Sequence, residues 1–173
     1  MGMDSKRLSR RRKQPGHDRS FEMSERNFVI ALRQILPSEH YEVTAKPRDL
    51  ADLFPREGGR AFGVVPEASV TSRRTGRMLF FEVKKQGEAG NADERACKHH
   101  TVQFYRTLRD RFGYKYHPFF TIMCESLAAS PRYTLKHPYF FEPGQYFLWV
   151  GYDMESLRGF IVDLCRRHLD GKA

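Results

Sequence analysis

Two carboxylates and a lysine stand where strand geometry gathers them. Pro66-Glu67 is followed, after fourteen residues, by Glu82-Val83-Lys84. In a strand over Met78–Lys85, side chains alternate faces. Met78, Phe80, Glu82 and Lys84 therefore share one face and Leu79, Phe81, Val83 and Lys85 the other. Arg73-Arg74-Thr75-Gly76 supplies a hairpin turn, with Gly76 free to take positive φ. A two-residue loop at Arg74-Thr75 places Glu67 opposite Glu82, whereas a slipped loop places it opposite Lys84. In either register three charged groups meet at one end of an otherwise apolar ribbon. Two carboxylates there repel unless a cation lies between them, and hard oxygen donors suit Mg²⁺ or Mn²⁺.

The elements that must hold this ribbon follow from the periodicity. Ser24 is placed to cap a helix over 25–36 with Phe28, Ala31, Leu32 and Ile35 inward, stopped by Pro37. Tyr41–Thr44 reads as a short strand and Arg48–Phe54 as a short helix or irregular piece. After the ribbon, Asn91 with Glu94 forms a capping-box pattern. It opens one long helix whose stripe is Ala92, Ala96, His100, Phe104, Leu108 and Phe112, widened by Val102 and Tyr105, with Gly113 closing it. Adjacent His99 and His100 diverge by about 100° on a helix, so one packs and the other faces solvent or phosphate. Phe119–Cys124 is an apolar run of buried-strand length, and strand–helix–strand implies a parallel crossover. Residues 126–144 read as a long loop, 145–150 as a strand, and Asp153 as the cap of a final helix bearing Met154, Leu157, Phe160, Ile161, Leu164 and His168 inward. The fold class is α/β, a mixed sheet flanked by helices.

At 173 residues with 40% hydrophobic content, the chain supports one domain over 21–173 with a genuine core. Residues 1–20 carry seven basic side chains against two acidic ones, +5 of the net +9, without hydrophobic periodicity. They read as a flexible basic arm, able to follow a phosphate backbone or to remain solvated. The overall charge points to an anionic partner, nucleic acid first. Cys97, Cys124 and Cys165 are odd in number and widely spaced, which argues for a reducing, cytoplasmic setting and against a disulfide framework or zinc site. No apolar run reaches membrane-spanning length, the N-terminal residues lack the apolar core of a signal peptide, and no motif points to a small-molecule substrate.

With these residues in place, P-E-x14-E-V-K resembles the PD-(D/E)xK nuclease signature. Together with Gly90-Asn91-Ala92-Asp93-Glu94-Arg95 it is similar to the EcoRI/MunI group of type II restriction endonucleases, closest to MunI, over roughly residue 28 to the end. The first motif alone is common on strands; the second, in order and at a helix start, makes the match specific. The resemblance implies a prokaryotic, Mg²⁺-dependent homodimer, with Mn²⁺ able to substitute, that cuts double-stranded DNA at a short palindrome with an AATT-like core and leaves 5′-phosphates. Glu67, Glu82 and the Val83 carbonyl would hold the metal, and Lys84 would orient the attacking water and stabilise pentavalent charge. Asn91, Ala92 and Arg95, following Gly90, would read base edges. Lys85 and Gln86 would lie beside the scissile strand, Lys98 would meet a phosphate, and Glu94 would buttress arginines.

Two departures qualify the match. Glu67 stands where the group has Asp, one methylene longer. Ala89 precedes Gly90 where MunI has an arginine that helps read its outer base pair, so that pair is unassigned. The competing readings are a catalytically silent sequence-specific DNA-binding protein and a structure-directed nuclease on the same fold. A basic RNA-binding module has no accompanying stacking motif.

Overall fold

The computed structural model describes the backbone of residues 17–54, 63–85, 90–113, 116–124, 130–142, 144–149 and 154–171. Five strands form one sheet in sequential order: β1 (Tyr41–Ala45), β2 (Ala68–Ser72), β3 (Met78–Lys85), β4 (Tyr116–Cys124) and β5 (Tyr146–Trp149). The first three are antiparallel, whereas β3–β4 and β4–β5 pair parallel. The mixed sheet flanked by helices and the parallel crossover are as the sequence led us to expect. β4 begins three residues before the apolar run, and the β3–β4 register jumps from His117 to Phe119. Pro118, the skipped residue, has no N–H to give the ladder.

One face of the sheet carries Ala68, Val70, Leu79, Phe81, Val83, Phe120 and Ile122 against α1 (His17–Ile35) and the C-terminal helix (Met154–Leu164), which continues as a π turn over Cys165–Leu169. α1 starts upstream of Ser24, which therefore lies within the helix and does not cap it. Phe28, Ala31, Leu32 and Ile35 are buried as the periodicity required, and so are Leu157, Ile161 and Leu164. Asp153 and residues 1–16 of the arm expected over 1–20 lie outside the described residues, whereas 17–20 are not a flexible arm but the start of α1. Residues 48–54 form turns rather than a helix, with Leu50 and Leu53 buried.

The opposite face carries two further clusters, and here the expected long helix is broken. α2 (Ala92–Cys97) runs into a 3-10 turn (Lys98–His100), Thr101 is extended (φ −79°, ψ 148°), and α3 (Val102–Phe112) starts afresh. Thr101 supplies the new cap, its Oγ1 accepting from the Phe104 N–H at 3.2 Å. The break lets the two helices seat on different clusters of the same sheet face. Both His99 and His100 are buried, so neither faces solvent. Val102, expected in the stripe, is 66% exposed at the first position of α3.

Phe104 and Leu108 of α3 pack on Phe80, Phe119, Leu50 and Leu53. Ala92 and Ala96 of α2 pack on Met123, Tyr133 and Phe141. The presumed loop over 126–144 contains two single-turn helices, α4 (Pro131–Thr134) and α5 (His137–Phe140), each with proline in its first turn. Among the described residues, no helix is long and apolar enough to cross a membrane, and the three cysteines are free thiols.

Candidate active site

The β2–β3 ladder decides between the two registers. Ala68 pairs with Phe81 and Thr71 with Met78, the alignment that carries Glu67 toward Glu82 and not toward Lys84. The ladder closes with Ser72 N–H to Arg77 C=O at 2.9 Å across a four-residue turn, in which Gly76 takes φ 68°. At the other end the Glu67 N–H donates to the Phe81 carbonyl at 3.0 Å, one position before Glu82. Glu67 thus leaves the ladder as a bend at the level where Glu82 begins the polar end of β3.

Alternation along β3 puts Glu82 and Lys84 on the face of Phe80, and the Lys84 ammonium pairs with Glu82 Oε1. Their side chains are 11% and 16% exposed, and that of Glu67 is 11%. Glu67 has its own cation: Lys46, just past β1, reaches its Oε2. The two carboxylates are therefore each held by a lysine, and the charges that would repel at close range are neutralised within the chain. Arg26, Val29, Ile30, Arg33, Ala45, Lys46 and Glu67 line a cleft of about 500 Å³ beside this end of the sheet.

Mg²⁺ or Mn²⁺ fits the donors present. Two carboxylates from neighbouring strands and the strand carbonyls near them are hard oxygens. An octahedral ion of this kind commonly takes one or two carboxylates and completes its shell with water and phosphate. No group of three or more His, Cys, Asp or Glu that could hold a metal converges among the described residues, so Glu67 and Glu82 are the carboxylates that would be available to such an ion.

β4 joins these groups to α2. Thr121 pairs with Glu82 and Met123 with Lys84. Met123 lies under Ala92 and Ala96, which seats the start of α2 beside the lysine. Thr121 Oγ1 meets His100 Nε2 at 2.7 Å, and His100 Nδ1 meets Gln145 Oε1 at 3.2 Å and Tyr105 Oη at 3.0 Å. Because Gln145 Oε1 can only accept, the consistent assignment has Nδ1–H donating and Nε2 accepting the Thr121 hydroxyl. Burial holds the His100 pKa down to about 4, partly offset by the Gln145 hydrogen bond. His99 stacks on Phe119 with ring centroids 4.6 Å apart. Its pKa falls to about 3, first through burial and then through nearby Lys98 and Lys84.

Around α2, the residues expected at DNA divide. Asn91, Arg95 and Lys98 are exposed, while Gly90 and Lys85 are half-buried. Ala92 is 1% exposed, which leaves its backbone rather than its methyl to present to a base. Gln86 lies outside the described residues. Asn91 occupies the cap position without a side-chain cap bond, so the expected capping box does not form. Glu94 pairs with Lys136 at 3.1 Å in place of an arginine. Lys136 also reaches the fully buried Asp93 at 3.5 Å, and these contacts, led by the Glu94 hydrogen bond, raise its pKa.

Lys46, His100, Thr121 and the Asp93–Lys136 pair were missed from sequence. Lys46 had a signal: as the residue after β1 it falls opposite Glu67 once the β1–β2 register, Ala45 opposite Ala68, is known. The others depend on the helix break and on the 131–140 segment, neither of which periodicity displays.

A family model described as type II restriction enzyme MunI matches residues 1–170, beginning well before the 28-to-end span of the motifs. No curated protein sequence matches the chain. Among solved structures, the crystal structure of MunI restriction endonuclease in complex with cognate DNA superposes with a TM-score of 0.63 at 21% identity, covering 76% of this chain and 83% of that one. The mixed sheet and its flanking helices thus have the fold of that endonuclease.

Proposed function

We propose a function from one premise: the chain belongs to the family of the type II restriction enzyme MunI. On our reading it is a site-specific deoxyribonuclease that hydrolyses both strands of duplex DNA at a short palindrome and leaves 5′-phosphates. The observation that carries this reading is the end of β3, where Glu82 and Lys84 pair on one face. Glu67 is at the same level, in the bend that leads into the neighbouring strand, and the exposed Asn91 and Arg95 lie at the start of the helix above.

Glu67 and Glu82 would hold Mg²⁺, or Mn²⁺ in its place, with the Val83 carbonyl. When bound, that ion neutralises the scissile phosphate and activates water. Lys84, already 16% exposed and beside Glu82, orients the attacking water and offsets the charge that grows on the phosphorus oxygens. Arg95 presents a fork to purine edges and Asn91 a donor–acceptor pair to adenine, consistent with an AATT-like core. Lys98 and Lys85 contact backbone phosphates, and Gln86 belongs with them. A two-fold DNA site is matched by two copies of the chain, each cutting one strand. The basic arm adds sequence-independent affinity.

The test is digestion of a long mapped DNA with the full chain in Mg²⁺, beside EDTA and Lys84→Ala controls. A discrete fragment ladder lost in both controls is the expected result. A smear would assign a structure-directed or unspecific nuclease. Intact DNA that is retarded on a gel would mean that the longer Glu67 side chain leaves a silent DNA-binding protein.

A further inference from the structure

Lys46 is tied to Glu67 twice. Its N–H donates to the Glu67 carbonyl at 3.0 Å, and its ammonium pairs with the Glu67 carboxylate. It adopts φ 48°, the one positive φ of a non-glycine residue among the described residues. Such a conformation persists only where the surroundings impose it, and it gathers at sites of function. Here β1 fixes one side, and the buried Pro47 fixes the chain direction on the other. The Lys46 side chain is 54% exposed and shares the cleft with Arg26 and Arg33, so an incoming phosphate would meet cations already in place.

We propose that Lys46 is a positioning residue of the active site. In the DNA-free protein it occupies the Glu67 carboxylate in competition with the divalent ion, and on DNA binding it exchanges that carboxylate for a backbone phosphate. Arrival of DNA thus releases Glu67 to the metal, and by linkage metal and DNA favour each other's binding. The inference rests on the reading of Glu67 as a metal ligand given above. The pair is half open to solvent, which limits its competition with metal to roughly a twofold to fivefold effect.

The experiment measures Mn²⁺ affinity of the DNA-free full chain by electron paramagnetic resonance of the free ion. The variants are Lys46→Met, Lys46→Asn (asparagine tolerates positive φ), Glu67→Gln and Arg33→Met. A second arm measures binding to a cognate duplex in EDTA across a salt series. Both Lys46 variants should bind Mn²⁺ roughly twofold to fivefold more tightly than the parent protein. Arg33→Met, which removes a charge from the same cleft without freeing Glu67, should change it less. The log–log salt slope for DNA should fall by about one in the Lys46 variants. Unchanged or weaker Mn²⁺ binding in both Lys46 variants overturns the proposal, as does an equal gain in Arg33→Met. An unchanged salt slope overturns the transfer to phosphate. Mn²⁺ binding that survives Glu67→Gln would instead remove Glu67 from the metal site, a failure of the underlying reading.

Discussion

Two buried imidazoles should make this protein acid-labile well above the carboxylate range. His99 and His100 have folded pKa values lowered from 6.5 to about 3 and about 4, in each case chiefly through burial. Between those values and 6.5 the unfolded chain binds protons that the folded chain does not, so stability falls as pH falls through that window. Integrating from pH 7 to pH 5, each histidine removes about 2 kcal/mol, together ~4 kcal/mol. That is a large part of the roughly 5–15 kcal/mol expected of a domain. Urea unfolding at pH 7, 6 and 5 with a constant m-value measures it. His137 is also lowered by burial, so attribution rests on variants. His99 Nδ1 has no hydrogen-bond partner among the described residues, and the ring stacks on Phe119. His99→Phe should therefore keep the pH 7 stability within about 1 kcal/mol and remove about 2 kcal/mol of the loss at pH 5. His99→Phe/His100→Gln should remove most of the rest. A loss between pH 7 and 5 that is the same in parent and double variant refutes the reasoning.

Lys84→Ala and Glu82→Gln should each lower cleavage by about 10²-fold or more in single-turnover assays while leaving DNA binding in EDTA within a few-fold; equal activity would remove them from the chemistry. Arg95→Ala should cost about 1–3 kcal/mol on a cognate duplex and little on a random one, whereas Lys98→Ala should weaken both alike and lower the salt slope by about one; filter binding across a salt series separates them. Thr121→Val removes the hydroxyl that His100 Nε2 accepts at 2.7 Å and should destabilise by about 1–3 kcal/mol, a fall in Tm of several degrees by calorimetry; no fall would mean that the hydrogen bond is not made in solution.

The legible part of this fold was its strands and its motifs. Alternation in Met78–Lys85 fixed which side chains share a face, because a strand has a period of two whatever covers each side. The proposed site residues Glu67, Glu82 and Lys84 were named from the same pattern, and the β2–β3 register bears out the first of the two alignments considered. What failed was helical continuity. The stripe from Ala92 to Phe112 is spaced as for a single helix, yet a stripe cannot show that Val102 is exposed or that His99 is also core. Nor can it show that Thr101 caps better than it continues. In residues 131–140 the prolines looked like punctuation, although at a first helical turn they cost nothing. Lys46 escaped because its importance lies in a cross-strand partner, which no local spacing encodes.

The break at Thr101 has a functional reading that a continuous helix would not permit. α3 must lie over Phe80 and Phe119, whereas α2 lies over Met123, Tyr133 and Phe141, and one straight axis would serve only one of these clusters. Freed from α3, α2 is six residues long, too short to be helical by its own propensity. Its orientation therefore depends on what holds it: Ala92 and Ala96 on Met123, Lys136 across Asp93 and Glu94, and His100 on Thr121. Two of these three anchors, Met123 and Thr121, are the β4 partners of Lys84 and Glu82. The segment proposed to read bases and the strand proposed to cut are thus seated on the same two residues of β4. A shift of α2 as it meets the wrong bases would therefore reach the proposed catalytic pair directly, since α2 packs against β3, and also through their common seats on β4.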